Sequence, residues 1–253
     1  MKDIAAAFVF FTRLPLWRLK AFNVSMEHYK QVINYWPVVG WLTAIVMVSV
    51  LWLSAQVLPF SIAVLLAIIS RLLITGTLHE DGLADFFDGF GGGATRERIL
   101  AIMKDSHIGT YGVLSLVVYF MMLYTLLNSM DLQLACIAIL TGDPLCKLIA
   151  SQITLLLPYA RTEETSKAKV VYNKMSVKPF IISLFFGLFP LLFLMGMMQY
   201  IAVIFPILIF FILVFLIKRK IGGYAGDCCG ALFLVCELSF YLGTLSVYNI
   251  FRL

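Results

Sequence analysis

An all-α integral membrane protein, a bundle of about seven transmembrane helices preceded by an interfacial N-terminal helix, is predicted by three observations. Of 253 residues, 62% are hydrophobic and only 13% charged, with a mean hydropathy of +0.97; a soluble chain carries about 25% charged residues. Apolar runs of about 18 to 26 residues recur along the whole length, each long enough to cross a bilayer as a helix. Lys and Arg also alternate between connections: sixteen fall on one set and Arg252 alone on the other, with only Arg71 and Lys147 inside spans.

Taken in order, Met1 to Phe11 offers one Lys and a short apolar stretch, followed by Arg13 and Pro15. Lacking a small-residue cleavage site, it reads as an uncleaved interfacial helix. Spans are expected at 37–57, 61–78, 110–128, 132–157, 180–198, 201–217 and 227–250. Only Gln199 and Tyr200 separate the fifth from the sixth, which makes a tight hairpin or a short break. The basic connections are 1–36, 79–109, 158–179 and 218–226, so the positive-inside rule puts the N-terminus in the cytoplasm and the C-terminus outside. The chain is a single polytopic membrane domain over 1–253, with a cytoplasmic catalytic loop at 79–109. This bias accounts for the net charge of +5, with anionic lipid heads as a secondary contact and no nucleic acid required. Cys136, Cys146, Cys228, Cys229 and Cys236 lie in or beside apolar spans without a CxxC pair, as small buried hydrophobes do.

The chemistry concentrates between Thr77 and Gly93. Four carboxylates fall there, and Asp81, Asp85 and Asp88 stand at i, i+4 and i+7, on one face of a helix. Like charges so placed repel unless a cation sits among them. Three carboxylates followed by the turn Gly91-Gly92-Gly93 suit Mg²⁺ holding a phosphorylated substrate, with glycine N–H groups cradling a pyrophosphate. Phe86, Phe87 and Phe90 interleave the acids, so one side packs while the other collects charge. The run Ile102 to Gly112 and the segment Gly222 to Ala231 lie on the same side of the membrane. A catalytic pocket at the surface fits this asymmetry better than a pore. His79 and His107, each near carboxylates, are candidates for a general base or a substrate hydrogen bond, whereas His28 reads as surface. Inside the spans, Asp143 and Lys147 at i and i+4 can pair, Pro144 can kink their helix, Arg71 can reach a phosphate or snorkel, and Glu237 has no partner in sequence.

The segment Leu78-His-Glu-Asp-Gly-Leu-Ala-Asp-Phe-Phe-Asp-Gly-Phe-Gly-Gly-Gly93 closely resembles the hallmark of the cobalamin synthase (adenosylcobinamide-GDP ribazoletransferase) family. Ile102-Met-Lys-Asp-Ser106, Phe10 to Pro15, Pro37 to Gly40 and Gly222 through Glu237 are similar to further elements of that family in the same order. The chain departs from it in the fourth span, where Pro144-Leu-Cys-Lys147 stands in place of a Ser-Arg pair. The resemblance implies an enzyme of the phosphotransferase class in the bacterial inner membrane, with its active site facing the cytoplasm. Such an enzyme joins adenosylcobinamide-GDP to α-ribazole or its 5′-phosphate and releases GMP, at the last stage of cobalamin nucleotide-loop assembly, with Mg²⁺ as cofactor. Its partners are those two substrates and the lipid bilayer, with room for a homo-oligomer. On this reading Asp81, Asp85 and Asp88 ligate one or two Mg²⁺, with Asp105 or Asp227 completing the shell. Lys104, Arg71 and Gly91 to Gly93 hold phosphate oxygens, His107 assists, and His79 is the first choice for base. The nearest alternative is a CDP-alcohol phosphotransferase-like membrane enzyme, whose motif also opens on Asp-Gly but needs Arg after Ala, where Asp85 follows Ala84. A prenyltransferase would want two separated acidic motifs. A cation-coupled transporter using Asp143, Lys147 and Glu237 would carry two related halves, and no such repeat is visible.

Overall fold

The computed structural model describes residues 1–161, 171–172, 176–194 and 196–251. Lys167, Lys169, Lys174 and Arg252 of the charge tally lie outside these residues. The described residues are helical apart from loops and one parallel bridge between Tyr159 and Tyr224. Helix α1 is Lys2–Phe11, α2 Trp36–Ser54, α3 Phe60–Thr75, α4 Leu78–Gly92 and α5 Arg96–Lys104. The second half of the chain adds α6 Thr110–Asn128, α7 Leu132–Ser151, α8 Val177–Leu188, α9 Ile204–Ile221 and α10 Gly226–Phe251.

Among the described residues, five segments are long and apolar enough to cross a membrane, or six if α3 and α4 count as one bent span. The expected seven is not reached, for two local reasons. The span expected at 61–78 stops after the 16 residues of α3, about 24 Å at 1.5 Å per residue, short of the roughly 30 Å hydrocarbon core. There the chain turns by 89° into α4, because Gly76 (φ +62°) and Thr77 (φ +59°) both adopt the left-handed conformation. Gly76 allows this without a side chain to clash, and a Cβ there would run into Arg13. Arg13 N–H in turn donates to the Ile74 carbonyl at 2.7 Å, so the chain after α1 is docked on the bend. The second reason lies in the expected hairpin of spans five and six. Helix α8 covers 12 residues and runs into tight turns at Phe189–Phe193, where Pro190 cannot donate to the preceding turn. Only the stretch Met198–Ile221 after it is long enough to span.

Helices α7 and α10 form the centre, each with 78% of its apolar window buried, against 28% for α6 and for the stretch containing α9. The outer helices expose apolar stripes at helical spacing: Leu114, Val117, Val118 and Met121 on α6, and Leu208, Phe211, Ile212 and Phe215 on α9. Such faces fit lipid and make the chain a multi-pass membrane protein.

The charges inside the bundle are paired. Lys147 Nζ donates to Asp143 Oδ1 at 2.5 Å and to Thr43 Oγ1 at 2.8 Å, and the Thr43 hydroxyl donates to Asp143 Oδ2 at 2.9 Å. The pair anticipated along α7 is therefore tied to α2 as well, and Pro144 is accommodated within the helix. A second cluster joins four helices. Arg71 Nη1 on α3 donates to both Glu237 oxygens on α10 at 2.6 and 2.7 Å. Arg71 Nη2 also donates to Tyr119 of α6, and Glu80 of α4 stands 3.7 Å away. Tyr241 donates to Glu237 at 3.0 Å. The carboxylate without a partner in sequence thus finds one 166 residues away.

His28, expected at the surface, is only part exposed and meets Asp3 at 2.6 Å, fastening α1 to the turn Met26–Tyr29. The five cysteines are free, as expected, and all but Cys136 are buried.

Candidate active site

Helix α4 is positioned by close backbone contact. A Cβ on Gly82 would lie 3.2 Å from the Asp227 backbone, and one on Gly230 would lie 3.0 Å from the His79 carbonyl. The first turns of α4 and α10 therefore cross with almost nothing between them, which sets Asp81 and Asp227 on adjoining walls of one cleft. The cleft holds about 280 Å³ and is lined by residues of α1, α2, α4, α10 and the loop at 158–161. Asp81, Asp227 and Arg161 are its charged members and His79 its imidazole; Phe11, Trp36, Tyr159 and Tyr172 supply an aromatic side. The loop wall is fixed by the bridge, with Ala160 N–H donating to the Tyr224 carbonyl at 2.8 Å and Tyr224 N–H to the Pro158 carbonyl at 2.9 Å. Arg161 is further anchored by donating to the Leu100 carbonyl at 2.9 Å.

His79 forms the floor. It is 3% exposed, and its ring centroid lies 5.2 Å from Trp36 and 5.1 Å from Phe233. Its Nε2 is buried without a hydrogen-bond partner, an arrangement that buried polar atoms adopt where a ligand or water completes them.

The acidic segment is helical, as its i, i+4, i+7 spacing predicts, but its three aspartates have different surroundings. Asp81 is exposed at the cleft, and Asp85 is half-buried one turn on. Asp88 is 6% exposed and spends both oxygens on backbone: Oδ2 accepts from Gly109 N–H at 2.6 Å and Oδ1 from Gly112 N–H at 2.8 Å. These are orphan donors at the start of α6, and an anion there is stabilised by the helix dipole. Among the described residues no group of three or more His, Cys, Asp or Glu side chains stands together as a metal cage. Asp88→Ala is accordingly expected to cost about 1–2 kcal/mol of stability, the typical loss of a capping group. Asp81→Ala is expected to leave thermal melting nearly unchanged, so equal melting shifts in the two proteins would remove the distinction.

Several other residues stand away from the cleft. Gly91 and Gly92 are the last turn of α4 rather than a loop, and Gly93 N–H is bonded to the Gly89 carbonyl at 2.9 Å. The expected pyrophosphate cradle of free N–H groups is therefore not formed. The glycines instead allow contact: a Cβ on Gly91 would sit 2.7 Å from the Tyr111 ring, and one on Gly93 2.5 Å from Ile99. Ten residues of helix separate Gly91 from Asp81, about 15 Å. Lys104, the last residue of α5, and Asp105 and His107 just beyond it are exposed, and His107 Nδ1 meets Asp105 Oδ1 at 2.7 Å. Hydrogen bonds from the His107 ring and backbone hold the Asp105 carboxyl below its usual range. Arg71, considered for phosphate, is 1% exposed and committed to Glu237.

Arg161, Trp36 and Phe11 were not singled out from sequence as site residues. Arg161 looked like one more cation of the positive-inside bias, and the aromatics like ordinary apolar residues; only the closure of α1 and the 158–161 loop over α4 brings them to the acids.

Comparison with known proteins identifies the family to which the chain belongs. Residues 3–245 match the family model described as Cobalamin-5-phosphate synthase. A Shewanella frigidimarina protein named adenosylcobinamide-GDP ribazoletransferase is 37% identical over 246 residues, covering 95% of this chain and 93% of its own. Relatives of the same name from Shewanella putrefaciens (36% identical, 95% and 92% covered) and Shewanella oneidensis (34%, 98% and 97%) align as fully. No solved structure matches. With the match running from α1 to within the last two turns of α10, this chain belongs to the cobalamin-5-phosphate synthase family.

Proposed function

We propose that this protein joins adenosylcobinamide-GDP to α-ribazole or its 5′-phosphate and releases GMP, the final assembly step of cobalamin. The observation that carries the reading is the cleft itself, where Asp81, Asp227, His79 and Arg161 meet in a chain aligned nearly end to end with relatives of that name. The reaction needs two things from the protein. Pyrophosphate charge must be held while a phosphorus–oxygen bond to GMP breaks, and a ribose hydroxyl must lose its proton as it bonds to the phosphorus bearing the cobinamide arm.

Arg161 is the guanidinium on the cleft wall and suits phosphate oxygens. His79 Nε2 is the unpartnered atom at the floor and serves as acceptor for the hydroxyl proton. Asp81 and Asp227, with Asp85 one turn along the same stripe, are the carboxylates for Mg²⁺. That ion is commonly held by one or two carboxylates plus substrate phosphates rather than by an all-protein cage. Bound there, Mg²⁺ supplies charge neutralisation for the leaving nucleotide. Gly91 to Gly93 are left out of the chemical step by their distance along α4, Lys104 and His107 by lying outside the cleft lining, and Arg71 by its burial against Glu237.

The cleft draws on the N-terminal segment, the start of α4, the 158–161 loop and the start of α10, all on the side where Lys and Arg concentrate. That common side supports a cytoplasmic N-terminus and a cytoplasmic active site in a bacterial inner membrane. The test is release of GMP and formation of the joined corrinoid by purified protein in lipid nanodiscs. Both products are expected with Mg²⁺ and neither with excess EDTA; GMP-free incubations with Mg²⁺ and both substrates would overturn the reading.

A further inference from the structure

The aromatic side of the cleft has a chemistry of its own. Phe11 and Trp36 stack at 5.2 Å with 14° between their planes, and Phe10 stands edge-on to Phe11 at 4.9 Å. Trp36 is 1% exposed and lines the cleft, yet its indole Nε1 is buried without a hydrogen-bond partner. A buried indole N–H normally finds an acceptor, and leaving one unmade costs more than a surface hydrogen bond is worth. A wall that could have been apolar throughout thus carries one unmatched donor among its rings, on a side chain whose ring centroid lies 5.2 Å from that of His79.

We propose that this wall is the binding site for the planar nitrogen heterocycle of the acceptor nucleoside. The base packs against the Phe10, Phe11 and Trp36 rings, and the Trp36 indole N–H donates to an in-plane ring nitrogen. This rests on the proposed function and adds to it the place and the contact by which one substrate is recognised. Of the three bases the two substrates carry (guanine and adenine on adenosylcobinamide-GDP, benzimidazole on α-ribazole) the geometry points to that of α-ribazole. Its benzimidazole is a fused apolar ring with one in-plane acceptor nitrogen, matching an apolar wall with one donor. Its ribose must also bring a hydroxyl to His79, the direct neighbour of Trp36. Guanine and adenine, each with several polar edge atoms, would leave most of them facing rings.

The experiment measures steady-state kinetics in nanodiscs for both substrates separately, with Trp36→Phe, which keeps the ring and removes the donor. The expected result is a rise of about tenfold in the KM for α-ribazole, with kcat and the KM for adenosylcobinamide-GDP within about twofold. A change confined to adenosylcobinamide-GDP would assign the wall to a purine of that substrate and overturn the proposal, as would an unchanged KM or equal changes in both. A second arm needs no variant: an α-ribazole analogue whose base is an indole keeps the hydroxyl and ring shape but lacks the acceptor nitrogen. Wild-type protein is expected to bind it about tenfold more weakly than α-ribazole by calorimetry, and equal binding overturns the proposal. Absence of turnover by wild-type protein would count against the proposed function instead, because the calorimetric comparison stands without it.

Discussion

Replacing Glu237 with Ala is expected to destabilise the protein by about 3–5 kcal/mol, the cost of leaving a buried charge without its partner. Arg71 would keep its guanidinium at 1% exposure with Tyr119 and the more distant Glu80 as its remaining neighbours. The loss should appear as a fall in melting temperature on the order of 10 °C and as reduced recovery from membranes. The double replacement Arg71→Leu with Glu237→Leu separates two explanations. Exchanging both members of a buried pair for apolar residues is often neutral or better, so most of the lost stability should return. The return should be incomplete, because both Glu80 oxygens are buried without hydrogen bonds and Arg71 is the cation beside them. If the single variant melts like wild type, the pair is not holding α3 to α10 as the geometry implies.

Replacing Asp81 with Ala is expected to lower kcat by at least about 100-fold, the scale on which one lost electrostatic contact to a developing charge is felt. Asp81 is exposed at the cleft, so the folded protein should remain and the loss should be chemical. Asp227→Ala is expected to act the same way, from the first turn of α10 on the adjoining wall. The Mg²⁺ dependence provides the sharper reading. A protein that has lost one of two carboxylates should need several-fold more Mg²⁺ for half-maximal turnover. If both variants keep near-normal turnover at the same Mg²⁺ concentration, the carboxylate assignment is wrong.

Helix spacing alone put Asp81, Asp85 and Asp88 on one stripe, and α4 carries them that way. Their separate tasks were not legible, because they depend on what α6 and α10 bring from elsewhere. Asp88 looks like its neighbours until Gly109 and Gly112 present two N–H groups 21 and 24 residues later. The triple glycine misled for a related reason. In isolation such a run is flexible, yet against Tyr111 and Ile99 it is the surface that lets α4, α5 and the start of α6 close. The seven-span expectation counted apolar length, which cannot register the paired left-handed residues at Gly76 and Thr77 or the break at Pro190.

By itself the sequence determined that this is a helical membrane protein, and it led to the expectation that most of its acids and nearly every glycine cluster share one side. Composition, apolar run length and helical period are properties of contiguous chain, and its motifs carried the family. Only the tertiary structure decided which of those residues share a cleft. Long-range closure joined Asp81 to Asp227, drew Trp36 and Arg161 to the same walls, and withdrew Arg71 into the bundle with Glu237. The physical reason is that a buried charge or an orphaned N–H must be matched in space, and its match can lie anywhere along the chain.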